Sequence, residues 1–219
     1  MNKRVLLLCG HYGSGKTNIA VNLAQALKRE YPTVTLADLD IVNPYFRSKD
    51  SAQDLEAAGI RLICSRYANS NVDIPALPPD LYALTDDRRM RAIIDVGGDD
   101  RGALALGRLA PSILEEGNFE MLMVVNFYRP LTRDSQSMLE VMKEMEFAAG
   151  MPFTGIVNNS NLGDETTAVD VLSTVEKALD FSKLCGLPLK FTTVREELYE
   201  TLRGKIENLY PLKLQKKYY

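Results

Sequence analysis

The octapeptide Gly10-His11-Tyr12-Gly13-Ser14-Gly15-Lys16-Thr17 fills every position of the pattern G-x-x-x-x-G-K-[ST] and follows directly on the apolar run Val5-Leu6-Leu7-Leu8-Cys9. A strand that runs through such a loop into a helix is suited to hold the phosphates of a nucleoside triphosphate. Glycines let successive backbone N–H groups turn inward on phosphate oxygens, and the following helix adds the positive end of its dipole. On this reading Gly10, His11, Tyr12, Gly13, Ser14, Gly15 and Asn18 surround the nucleotide phosphates. Lys16 reaches the β- and γ-phosphates, and Thr17 offers its hydroxyl to Mg²⁺.

The rest of the chain continues the same alternation. Ile19, Ala20, Leu23, Ala24 and Leu27 recur at helical spacing, and Tyr31-Pro32 closes that helix. Short strands are predicted at 34–37, 61–64, 92–96, 121–125, 153–157 and 189–192, and helices at 51–58, 100–115, 132–149 and 164–184. Several strands are apolar through most of their length, as strands covered on both faces must be. Strand alternating with helix predicts right-handed βαβ units in an α/β three-layer sandwich with a mainly parallel central sheet, the architecture of P-loop NTPases. In the last helix Ala168, Leu172, Val175 and Leu179 form one apolar stripe that is expected to face the core. With 219 residues and 46% hydrophobic content the chain suits one domain over 1–219, its tail from about residue 205 extended.

Ligands of such sheets bind beyond the carboxyl ends of the strands, so strand ends supply the candidate site residues. Asp95 follows Ala92-Ile93-Ile94 and precedes Gly97-Gly98, which suits either an Asp that organises Mg²⁺ beside a γ-phosphate-sensing turn or an ordinary turn cap. Asp38 and Asp40 alternate with Leu39, so both carboxylates project from one side of an extended segment. One can assist the metal while the other orients water, or one simply begins the turn that Asn43-Pro44 completes. Asp40, further out along the strand, is the candidate for water. Asn158 ends the sixth strand where the base is expected, and its amide offers a donor and an acceptor to an adenine edge. Guanine recognition by N-K-x-D would need Lys at 159 and Asp at 161, where this chain has Asn159 and Asn161, so ATP is favoured over GTP. Arg47, Arg129 and Arg133 can reach phosphate or remain solvated, and the solvated reading is the commoner one.

Charge and cysteine content limit the setting. Lys+Arg number 26 against 29 Asp+Glu, a formal net charge of −3, so no global field draws the protein to nucleic acid or to an anionic membrane. No stretch approaches the ~20 apolar residues of a membrane span. Three dispersed cysteines suit reduced thiols in a cytoplasmic protein, and neither they nor the single histidine show metal-ligand spacing.

Taken together, the phosphate loop, D-x-D at Asp38 to Asp40, D-x-x-G at Asp95 to Gly98 and the late Asn158 resemble the MinD/ParA-type ATPases, over roughly residues 4–194. The octapeptide together with Asp40-Ile41-Val42-Asn43-Pro44-Tyr45-Phe46-Arg47 is similar to small proteins of the CobQ/CobB/MinD/ParA nucleotide-binding group. The resemblance implies ATP and ADP as ligands, Mg²⁺ held by Thr17 and supported through water by Asp38 and Asp95, attacking water positioned by Asp40, and adenine read by Asn158. It also implies a homodimer acting on a client protein, whereas the charge balance and a short tail interrupted by Pro211 lead to the expectation of no nucleic acid and no stable membrane association. The group places a second lysine, directed at the partner subunit's nucleotide, where this chain has His11; Tyr12 adds bulk beside it. Either His11 serves across a dimer or that contact is absent. A ligase or amidotransferase-like enzyme, an ATP-driven metal-insertion factor and a non-hydrolysing ATP sensor stand as alternatives.

Overall fold

The computed structural model describes residues 2–39, 49–64, 79–98 and 100–214, so Asp40, Asn43-Pro44, Arg47 and the segment 65–78 lie outside the described residues. Strand β1 (Val5–Cys9) runs through the glycine loop into helix α1 (Lys16–Glu30) and returns as β2 (Val34–Asp38). There follow α2 (Lys49–Ala57), β3 (Arg61–Cys64), α3 (Ala83–Asp86), β4 (Arg91–Asp95), α4 (Asp100–Gly107), α5 (Ala110–Glu116) and β5 (Phe119–Val125). The chain continues through α6 (Ser135–Ala149), β6 (Gly155–Asn158), α7 (Ala168–Cys185), β7 (Leu189–Arg195), α8 (Glu196–Leu202) and β8 (Leu209–Leu212). The strands form an eight-stranded sheet in the order β3-β2-β4-β1-β5-β6-β7-β8. Every pairing is parallel. This is the α/β fold of P-loop NTPases.

Side-chain alternation along β1 divides the core. Leu6 and Leu8 pack with Ile19, Ala20 and Leu23 of α1, whereas Val5, Leu7 and Cys9 pack on the other face with Leu106, Met138, Met142 and Phe181. Cys9 is buried at the tip of β1, and burial pushes its thiol up to about 12, with the Lys16 charge pulling the other way and Asp95 adding to the rise. The thiol is therefore uncharged at neutral pH.

Local chemistry accounts for the helix ends. Asp134 caps α6 by accepting from Ser137 N, Thr167 and Asp170 form a capping box on α7, and Gly150 and Gly186 end these helices in the left-handed region. Three sequence expectations need correction. The single helix over 100–115 is broken after Gly107, because Leu109 N turns back on Leu106 O and Pro111 starts a new helix. The apolar stripe of α7 is rotated: Val171, Thr174, Ala178 and Phe181 are buried, while Leu172 and Leu179 are 38% and 44% exposed. Beyond 195 the chain adds α8 and β8, the latter an edge strand that tolerates Pro211.

At the amino-terminal rim of the sheet, Arg4 and Glu116 form a bidentate ion pair whose side chains are only 4% and 9% exposed. Arg4 also donates to Asp87 O and Met90 O. Its hydrogen bonds hold the Glu116 carboxyl below the ordinary value of 4.5. The stabilisation is thus fully present above that ordinary value and is lost as pH falls through the lowered one. Removing one partner of a buried pair costs about 3 kcal/mol, so Glu116→Ala should lower stability by that order at pH 7 in urea unfolding, and by less in acid. A loss of the same size in acid and at pH 7 would show that it comes from packing and not from the ion pair.

Candidate phosphate-binding site

The glycine loop sits at the carboxyl end of the sheet between β1 and α1, and its backbone requires its glycines. Gly13 and Gly15 have φ of 75° and 87°, and a Cβ on Gly10 would fall within 3.0 Å of Val124 O on β5. Ser14 N donates to His11 O at 3.1 Å and closes the turn. Lys16, 7% exposed, lies inside the loop and its Nζ donates to Gly10 O at 2.8 Å and His11 O at 3.3 Å. Ser14 Oγ is buried in the same cradle without a hydrogen-bond partner among the described residues. A buried cation and an orphaned hydroxyl inside a ring of carbonyls and N–H groups suit an anionic ligand with many acceptor oxygens.

The acidic strand ends converge on the first turn of α1. Thr17 Oγ1 donates to Asp95 Oδ2 at 2.5 Å. Asp38 and Asp95 are register partners on adjacent β2 and β4, both buried, and Leu39 N donates to Asp95 O at 2.8 Å. A hydroxyl with two carboxylates behind it is an oxygen donor set of the kind Mg²⁺ takes beside phosphate. After β4 the backbone of Gly98 lies against the loop so tightly that a Cβ there would stand 2.5 Å from Tyr12 N. The turn that follows Asp95 therefore touches the phosphate loop directly. His11 is half-buried, with Nδ1 donating to Tyr12 O at 3.1 Å, and Tyr12 is 63% exposed.

On the other side of the loop is a cleft lined by Gly15, Asn18, Asn159, Asn161, Arg195 and Leu214, among others. Asn158 does not line it. That side chain is fully buried, its Nδ2 donating to Thr174 Oγ1 at 3.2 Å and its Oδ1 accepting from Ser160 N and Oγ. Pleating gives the reason: Ile156 and Asn158 point to the α7 face of the sheet, whereas Val157 and Asn159 point to the α1 face. Asn159 is the residue that sequence reasoning missed. Its Nδ2 donates to Ser14 O at 2.6 Å, its Oδ1 accepts from Thr193 Oγ1, and so it ties the phosphate loop to β7. Counting the pleat from the face on which α1 packs is the signal that singles it out.

A wholly parallel sheet whose first strand ends in a lysine-bearing glycine loop, with Thr17 on Asp95 beside it, defines a P-loop nucleotide-binding protein. The chain belongs to the family described as the CobQ/CobB/MinD/ParA nucleotide binding domain, which matches residues 9–177. Among solved structures it is similar to the cell division protein FtsY of Thermotoga maritima, at 21% identity and a TM-score of 0.55, over 88% of this chain and 62% of that one. The signal recognition particle receptor FtsY of Elizabethkingia anophelis, in complex with GDP, matches at 21% identity and a TM-score of 0.53, over 89% and 58%. The signal recognition particle 54 kDa protein of Aeropyrum pernix, in complex with GDP, matches at 17% identity and a TM-score of 0.53, over 88% and 41%. At these identities the likeness is one of fold, and this chain spans about three fifths of the length of the first of these structures. No curated protein matches the chain. Among the described residues no helix is long and apolar enough to cross a membrane.

Proposed function

We propose that this protein is a cytoplasmic Mg²⁺-dependent ATPase whose nucleotide state controls its association with a second copy of itself and, through that, with a client protein. The observation that carries the reading is the contact of Thr17 with Asp95 beside the Lys16 cradle, because it joins a metal-binding hydroxyl to the strand whose next turn touches the loop at Tyr12. Lys16 holds the β- and γ-phosphates, and Thr17, with Asp38 and Asp95 behind it, holds Mg²⁺, which supplies positive charge against the phosphate oxygens. Asp40, outside the described residues, orients the water that attacks the γ-phosphorus as the bond to the bridging oxygen breaks and ADP leaves with the electron pair. The turn at Gly97-Gly98 then relaxes from the loop, which is the change a partner reads.

Base selection is assigned to the segment Asn159-Ser160-Asn161, with Asn158 fixing that segment from behind through Ser160 and Thr174. ATP is favoured because the described lining of the cleft contains no carboxylate to accept from the N1–H and N2–H₂ edge of guanine. Calorimetric titration should therefore show ATP binding at least tenfold tighter than GTP; the reverse order would make the protein a GTP binder with the same phosphate chemistry. Asp40→Ala should keep ATP affinity and lose turnover, and turnover at the wild-type rate would remove Asp40 from the mechanism. For the dimer, light scattering should show association with a non-hydrolysable ATP analogue and dissociation with ADP. A monomer under both conditions would end the switch reading. Loss of the dimer in His11→Ala would place that histidine across the interface.

A further inference from the structure

The turn after β5 lays an arginine on the phosphate loop. Arg129 Nε donates to Gly13 O at 3.0 Å across 116 residues of sequence. The side chain runs over Gly13 so closely that a Cβ there would meet Nε at 3.4 Å and Cζ at 3.6 Å. A solvated arginine has no reason to keep that path, but this one rests on a fixed backbone. Arg129 N donates to Asn126 O at 3.0 Å, and Thr132 Oγ1 donates to the same carbonyl at 2.6 Å. The fully buried Asn126 side chain accepts from Tyr128 N and donates to Asn161 O. The turn is thus tied to the segment that lines the cleft as well as to the loop.

A guanidinium carries five N–H donors in one plane, and Nε is the donor engaged by Gly13. Among the described residues the other N–H groups of Arg129 make no hydrogen bond and no ion pair, although the side chain is anchored at the edge of a loop built to hold phosphate. Within the loop itself Lys16 is the one lysine and there is no arginine. Planar paired donors match phosphate oxygens better than any other side chain.

We propose that Arg129 is a second, intramolecular phosphate-binding cation that engages the terminal phosphate of a bound nucleoside triphosphate and so distinguishes it from the diphosphate. This rests on the phosphate-binding reading of the loop. The group it would touch belongs to the nucleotide held by its own chain, since Nε is already committed to its own Gly13.

The test is calorimetric titration of wild type, Arg129→Ala and Arg129→Lys with a non-hydrolysable ATP analogue and, separately, with ADP, both with Mg²⁺. Thermal melts check that the exposed substitutions leave the fold intact. Arg129→Ala should weaken the analogue by at least tenfold and ADP by less than twofold, and Arg129→Lys should recover part of the loss. Equal weakening of both ligands would reduce Arg129 to a staple for Gly13, and no weakening of either would remove it from the site. If wild type bound neither ligand, the phosphate-binding reading itself would fall, an outcome distinct from a failure confined to the variant.

Discussion

Gly15→Ala should weaken binding of any nucleoside phosphate by about a hundredfold or more while the protein still folds. Two independent costs meet at this position. The backbone sits at φ 87°, a conformation that costs an L-residue with a Cβ about 1–2 kcal/mol. The new methyl would also fall within 3.0 Å of Asn159 Nδ2, so the amide must leave Ser14 O and Thr193 Oγ1. Leaving those buried groups without partners costs about 1–3 kcal/mol more. Both costs fall on the loop, away from the core clusters, so the melting temperature should move far less than the affinity. Asn159→Ala removes the tie without the strain and should give an intermediate loss. The double variant should be no worse than Gly15→Ala alone, because the two changes destroy the same contact. Additive losses would show that Asn159 acts independently of the loop.

Lys16→Ala should abolish measurable turnover and lower triphosphate affinity by about 10²–10³, in keeping with the ~2–5 kcal/mol lost when one partner of a buried, hydrogen-bonded charge pair is truncated. The side chain is buried among the loop carbonyls of Gly10 and His11, so no other described cation can occupy its place without moving the loop. Arginine should not rescue it: a planar guanidinium is wider than the ammonium that Gly10 O and His11 O hold inside the loop. Titration with the analogue and a phosphate-release assay measure the two effects, and near-wild-type affinity in Lys16→Ala would mean that nucleotide binds elsewhere. Removing this charge also leaves Cys9 without the group that lowers its pKa, so the thiol should alkylate no faster in the variant than in wild type.

The glycine loop was legible because its chemistry is local. Each residue acts through its own backbone or the next helix, so spacing along the chain is spacing in space. The parallel sheet was legible for a similar reason, since strands that alternate with helices are joined by crossover βαβ units. The cleft beside the loop was harder. Asn158, Asn159 and Asn161 are chemically alike, and which of them faces the loop depends on pleat parity, with a register shift between Ile156 and Val157 on the β6–β7 ladder. In α7 the buried face was misread because it includes Thr174, a polar residue that is interior on account of its bond from Asn158. The bond between Asn158 and Thr174 thus accounts both for the direction of the Asn158 side chain and for the face of α7 that is interior. The contact of Arg129 with Gly13 is not legible in the sequence, because Gly13 O lies 116 residues away and no pattern in the chain connects them. The edge strand β8 was missed because Pro211 argues against a strand unless the strand is peripheral.

Because every strand of the sheet points the same way, the molecule has a chemical front and a mechanical back. Lys213 is clasped by Asn22 of the phosphate-loop helix, which donates to Lys213 O at 3.0 Å and accepts from Lys213 N at 2.9 Å, and Leu214 lines the cleft. A handle fused after β8 therefore starts at the front, within reach of the nucleotide, and doubles as a reporter or an obstruction. One fused ahead of Asn2 starts at the back, a strand length of roughly 17 Å away, and is the attachment to choose for leaving the chemistry undisturbed.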